Sequence, residues 1–171
     1  MLSKLKVAAG GTRNKTAGAM KELFTSFQNQ YLETALWATT HHETDEPLDK
    51  NFNSSDFSSE ALDSSFEDCS KFIQTKVPNI KLDHTNSPTV GDCLIDHAQK
   101  SSEGNNPTSE VEKLFIQAGH DFFLNRNGHG SGFWDKPEIY GKDLAKALSD
   151  IAKKFPESSP YVGDDNQLYF S

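Results

Sequence analysis

Apolar residues in this chain recur at spacings of three and four, and that period limits what the chain can become. From about residue 18 to 38, Met20, Leu23, Phe24, Phe27, Tyr31, Leu32, Ala35 and Leu36 fall on one helical face, and Trp37 widens it. The stretch "SSEALDSSFEDCSKFIQTKV" resumes the period through Leu62, Phe66, Cys69, Phe72 and Ile73. Ser58 or Ser59 stands ready to accept the free amides of its first turn. In "TSEVEKLFIQAGHDFFLNRNG", Val111, Leu114, Phe115, Ala118, Phe122 and Phe123 form the buried face. Ser109 is the expected N-cap there, with Glu112 as its capping-box partner, and Gly128 suits the position just past the helix end. "GKDLAKALSDIAKKF" places Leu144, Ala147, Leu148, Ile151 and Phe155 in register before Pro156 stops it. Only the end, "PYVGDDNQLYF", reads as β structure: Tyr161–Val162 and Leu168–Phe170 around a Gly-Asp-Asp-Asn turn, with Phe133–Trp134 expected to pair beside them. The expected fold class is therefore mainly α (α+β), with three to four amphipathic helices and a small C-terminal β-hairpin or short sheet.

A length of 171 residues fits one domain. Hydrophobic residues make up only 35%, so twelve Phe must anchor a modest core. The Gly-rich start reads as a flexible basic arm over 1–17, followed by a single domain over 18–171. Pro78, Pro88, Gly91, Gly104 and Pro107 punctuate a polar stretch at about 78–108. That stretch is expected to be a mobile loop, broken at most by a short helix around Cys93 to Ala98.

The net charge of −8 is unevenly placed. Lys4, Lys6, Arg13, Lys15 and Lys21 precede the first acid, so the rest of the chain carries 12 basic against 25 acidic residues. Such a body repels nucleic-acid phosphates, while the basic N-terminal arm leaves a nucleic-acid contact open. The acidic loop "HHETDEPLD" reads as solvated. Cys69 and Cys93, with no CxxC, imply free thiols in a reducing cytosol. No apolar run approaches the ~20 residues of a membrane span, and "MLSKLKVAAGG" lacks the apolar region of a secretory signal.

One stretch is crowded with chemistry: "GHDFFLNRNGHGSGFWD", residues 119 to 135. Three functional readings compete with a purely structural one. His120, Asp121, His129 and Asp135 have the donor types of a divalent-metal site, although their spacing matches no compact zinc signature. His120 or His129 as general base, with Asp135, and Arg126 steadying a phosphate or carboxylate, would make a hydrolytic site. Arg126, Asn127, His129, Phe133 and Trp134 would make a recognition surface of stacking faces and a bidentate donor. Against all three, the aromatics serve as core and the acids as caps.

The segments "YLETALWATT", "DEPLD", "AGHDFFLNRNGHGSGFWD" and "SPYVGDDNQLYF" resemble a group of small tailed-bacteriophage proteins with a block of the form AGHDFWLTRNGHGAGFWDR and a Tyr-Val-Gly-Asp-Asp ending. The likeness spans roughly residues 31–52 and 111–171. Phe123, Asn125, Ser131 and Lys136 depart from the block, while His120, Asp121, Arg126, Asn127, His129 and Asp135 keep it. The resemblance implies a viral protein in the cytoplasm of an infected bacterium, without implying a mechanism. The expectation is a small acidic phage accessory protein that binds a macromolecule, a host protein first and a phage protein second. The alternative is a metal-dependent hydrolase acting on a nucleotide or nucleic acid through His120, Asp121, His129 and Asp135.

Overall fold

The structure, a computed structural model, describes the backbone of residues 12–171 and side chains from residue 18 onward. The arm residues Lys4 and Lys6, and the side chains of Arg13 and Lys15, lie outside the described residues. The chain is mainly helical and ends in a two-stranded antiparallel sheet. In order come α1 (Thr12–Ala38), α2 (Ser59–Gln74), α3 (Val90–Lys100), α4 (Pro107–Arg126), the single turn α5 (Pro137–Tyr140), α6 (Lys142–Lys153), β1 (Pro160–Val162) and β2 (Leu168–Phe170). Two short 3-10 turns, Leu48–Lys50 and Ser54–Asp56, shape the connection from α1 to α2.

Helices α1 and α4 form the principal packed pair. Their apolar faces supply Phe27, Tyr31, Phe115, Phe122 and Phe123, all at most 1% exposed. The two backbones touch at Gly119, where an added Cβ would lie 2.2 Å from the Phe27 carbonyl oxygen. No side chain fits there, so glycine is required inside a helix that its propensity otherwise weakens. The rings of Phe72 and Phe122 stack with centroids 4.2 Å apart, and Phe133 lies 5.6 Å from Phe72. Phe155 meets Phe122 edge-on at 5.1 Å. These contacts tie α1, α2, α4, the turn after α4 and the end of α6 into one core. Each such ring stabilises the fold by about 1.5–3 kcal/mol through burial alone.

Local signals explain most helix starts. Ser58 accepts from the Ala61 amide at 3.0 Å, as expected. Helix α4 starts earlier than the Ser109 expectation: Asn106 caps it through the Thr108 amide at 3.0 Å, and Pro107 takes the first turn. Proline lacks an N–H that the first turn could not use anyway.

Three further expectations are corrected. Within 78–108 the helix expected around Cys93 to Ala98 is longer, because α3 runs from Val90 to Lys100 with a Thr89/Asp92 capping box and sinks Val90, Leu94 and Ile95 into the core. Phe133–Trp134 does not pair with the hairpin; β2 is instead touched by Phe57, in a single parallel bridge to Leu168. On α2 the buried residues are Ala61, Ser65, Cys69, Phe72 and Ile73, while Leu62 and Phe66 are exposed. The hairpin is as expected: Tyr161 pairs with Tyr169, and Gly163 and Asn166 make the turn.

Candidate functional site

The crowded stretch is the last half of α4, a helix cap and a turn. Helix α4 ends in a Schellman arrangement, in which the His129 amide donates to the Leu124 carbonyl at 3.1 Å and the Gly128 amide to Asn125 at 3.4 Å. Gly128 takes φ +66° to make this possible. Gly128 is thus accounted for by the need to satisfy orphan carbonyls, and His129 contributes its amide to the same cap. The His129 ring is exposed and stacks on Phe123 with centroids 5.9 Å apart.

The exit turn is then clamped back onto the helix. Asn125 accepts the Phe133 amide at 3.0 Å, and an added Cβ on Gly132 would come within 2.5 Å of the same Asn125 oxygen. Asp135 accepts the Gly132 amide at 3.0 Å and the Ser131 hydroxyl at 3.3 Å. Asp135 therefore closes the turn that precedes it and does not cap α5, whose N-cap is Lys136. Asn127 accepts the Ser158 amide at 2.8 Å and donates to the Phe123 carbonyl at 3.0 Å, which ties the segment before β1 to the end of α4.

Arg126 forms the largest of these ties. Its side chain is 1% exposed. Nε and Nη2 donate to the Pro156 carbonyl at 3.0 and 2.6 Å, and Nη1 donates to Tyr31 Oη at 3.2 Å and to Asp68 at 2.8 Å. The guanidinium also lies 5.4 Å from the Phe122 ring and 5.5 Å from the Phe155 ring. A planar cation with five donors joins four separate segments here, which a lysine would not do.

Asp121 sits in a second buried network. It is 0% exposed and accepts from Tyr140 Oη at 2.6 Å, from Gln117 Nε2 at 3.1 Å and from the Lys136 ammonium. Burial pushes the Tyr140 hydroxyl well above its usual range, and the Asp121 carboxylate beside it adds to the shift. Tyr140 therefore stays a donor. Carboxylate, ammonium, phenol and amide satisfy one another, which is the condition for a charge to persist inside a protein.

His120 points elsewhere. Its Nδ1 lies 3.1 Å from Thr34 Oγ1, and its ring stacks on Trp37 with centroids 5.5 Å apart. The Thr34 hydroxyl already donates to the Gln30 carbonyl at 2.8 Å. The contact with Thr34 thus needs Nδ1–H as donor, leaving the lone pair on Nε2. Burial lowers the His120 pKa from its usual value; Asp121 opposes the shift and Lys136 adds to it.

The sequence candidates therefore separate. Asp121 is held by Lys136 and Tyr140, His120 by Thr34 and Trp37, Asp135 by its own turn, and His129 by Phe123. Among the described residues, no group of three or more His, Cys, Asp and Glu is placed to hold a metal ion. The catalytic candidates His120, His129 and Asp135 likewise share no common partner. Of the recognition candidates, Phe133 is 0% exposed and Arg126 is buried, so neither presents a face to a partner, and Asn127 is spent on backbone groups. The exceptions are His129, which is exposed, and Trp134, at 53% exposed.

Tyr31, Asp68 and Pro156 were not candidates, although all three hold Arg126. They lie 95, 58 and 30 residues from it, beyond any local spacing rule. The Gln117–Asp121 bond, four residues apart on α4, is the one contact that helix spacing offers. No protein-family model, curated protein or solved structure matches the chain. Among the described residues, no helix is long and apolar enough to cross a membrane.

Proposed function

We propose that this chain is a small acidic accessory protein of a tailed bacteriophage, which binds a host protein in the cytoplasm of the infected cell. One observation carries the reading: Trp134 stands out from a turn whose backbone is fixed on both sides. Phe133 before it is buried and bonded to Asn125, and Asp135 after it closes the turn. A large aromatic presented on a rigid support loses little entropy on binding, and Trp is enriched among residues that dominate interfaces. Trp37, 45% exposed and backed by His120, offers a second aromatic face at the end of α1. The net charge of −8 favours a partner with a basic surface.

The test is affinity capture from host lysate with wild type and Trp134→Ala side by side. Wild type should retain a specific protein in near-stoichiometric amount. The Trp134→Ala protein should lose it by at least about tenfold while keeping its circular dichroism spectrum, since truncating a hot spot costs about 2 kcal/mol or more. Equal recovery by both proteins, or nothing above background with either, refutes the reading.

A further inference from the structure

One pocket differs in charge from the rest of this acidic chain. It lies between the end of α2 and the end of α6, has a volume of about 280 Å³, and is lined by Lys71, Lys76 and Lys154 around Phe155, Pro156 and Pro78. Thr75 and Ile151 complete the lining, and no acid contributes to it. Among the described residues, none of the three lysines forms an ion pair. Three exposed lysines without an ion-pair partner line one apolar floor, so the pocket offers positive charge to an anion.

The walls are fixed from behind. Arg126 holds the Pro156 carbonyl and lies 5.5 Å from the Phe155 ring, while Asp68 takes up the guanidinium charge at 2.8 Å. The Lys71 ammonium sits 5.8 Å from the Phe155 ring centroid. Lys76 donates to the Ser87 carbonyl at 3.0 Å, which orients its ammonium and leaves two of its three N–H groups for a ligand. Asp143 and Asp150 lie in the neighbouring groove that shares Lys154, and Asp150 is paired with Lys146 at 3.0 Å.

We propose that this pocket binds a nucleoside monophosphate, with the base against Phe155, Pro78 and Pro156 and the phosphate among Lys71, Lys76 and Lys154. Lysine ammonium groups are compact point charges suited to phosphate oxygens, and three of them match the nearly double charge of a phosphate monoester better than the single charge of a carboxylate. Phe155, half-buried, lines the pocket together with Pro78 and Pro156, and an aromatic ring with apolar neighbours is the kind of contact on which bases stack. The volume is at the lower end of small-molecule sites, enough for one small ligand. A nucleic-acid strand would extend beyond the three lysines over a body that carries 12 basic against 25 acidic residues after Lys21, which favours the free mononucleotide.

The test is a calorimetric titration of the full chain at low ionic strength with AMP, adenosine and inorganic phosphate. AMP should bind, and adenosine and phosphate should each be weaker by at least about tenfold, because each lacks one of the two contributions. Replacing the exposed lysines together (Lys71→Gln, Lys76→Gln, Lys154→Gln) should weaken AMP by at least about tenfold, while Lys113→Gln on the far helix α4 leaves it unchanged. The lysine variants leave the core intact, so a loss reports on binding and not on folding; thermal unfolding of the triple variant checks this. The proposal is overturned if no nucleoside monophosphate binds at millimolar concentration. AMP binding no tighter than phosphate, AMP binding indifferent to the lysine substitutions, or a 5′-phosphorylated oligonucleotide binding more tightly than AMP would each overturn it too. Trp134→Ala should leave AMP affinity unchanged, so this result stands apart from that of the host-protein capture.

Discussion

Replacing Arg126 with Met tests whether the block after α4 is chiefly a structural joint. The substitution leaves the Pro156 carbonyl and the Tyr31 hydroxyl without their donor. The Tyr31 hydroxyl is buried, and stranding it costs about 1–3 kcal/mol, whereas Pro156 is exposed and its carbonyl is rehydrated at smaller cost. Asp68 has a side chain 36% exposed, so its carboxylate is rehydrated and the lost pair counts for only about 0–1 kcal/mol. Methionine keeps part of the packing on Phe122 and Phe155 but forfeits the cation–π attraction, about 0.5–2 kcal/mol. The contributions overlap, and the stranded hydroxyl, the lost cation–π contacts and the lost pair together give an expected loss of about 3–5 kcal/mol. For a chain of this length that lowers Tm by roughly 6–20 °C. Guanidinium unfolding followed by circular dichroism gives the free energy directly. Arg126→Lys should fall between the variants, losing about 1–3 kcal/mol, because one ammonium cannot reach all the acceptors. Asp68→Asn should cost about 1–3 kcal/mol, because it keeps an acceptor but leaves the buried Arg126 charge uncompensated. An Arg126→Met protein within about 1 kcal/mol of wild type, with an unchanged denaturant slope, would refute the reasoning.

Two further predictions follow from the same geometry. Gly119→Ala forces α1 away from α4, because the new Cβ would meet the Phe27 carbonyl oxygen at 2.2 Å; a loss of about 2–4 kcal/mol is expected on unfolding, against about 1 kcal/mol for Gly104→Ala, where only the positive φ is strained. A loss below that of Gly104→Ala would show that the helices do not touch there. His120 should titrate below its usual value in an NMR pH series, and Trp37→Ala should move its midpoint upward by removing the covering ring. A folded pKa below the unfolded one means that the neutral ring is favoured in the native state. Its contribution to stability is then present above the unfolded value near 6.5 and lost as pH falls through the folded value. A midpoint at or above the unfolded value would contradict the burial argument.

Local chemistry was legible in the chain because its partners are close in sequence. The 3.6-residue period marks α1, α2, α4 and α6; Ser58 caps three residues ahead; Gly128 ends α4; and the Gly-Asp-Asp-Asn turn closes the hairpin. None of these needs a contact from elsewhere. Helix α3 was harder to read, since it is short and its buried side, including Asp92 and Asp96, mixes apolar with acidic residues.

The face each helix turns inward was a different matter. On α2, the expected set Leu62, Phe66, Cys69, Phe72 and Ile73 and the set Ala61, Ser65, Cys69, Phe72 and Ile73 both run at spacings of three and four. Hydrophobicity favours the first, yet the second is buried, because Ala61 and Ser65 let α1 come close while Gln28 bonds to the Leu62 carbonyl and Ser65 hydroxyl. The crowded block divides in the same way. That residues 119–135 end a helix and turn sharply belongs to the sequence alone, since glycines and caps act within a few positions. That Arg126 and Asp121 are spent internally, while Trp134 remains outside, was decided by Tyr31, Asp68, Lys136, Tyr140 and Pro156. A buried charge needs partners from whatever segment folding brings near, and which segment arrives is a property of the whole packed core.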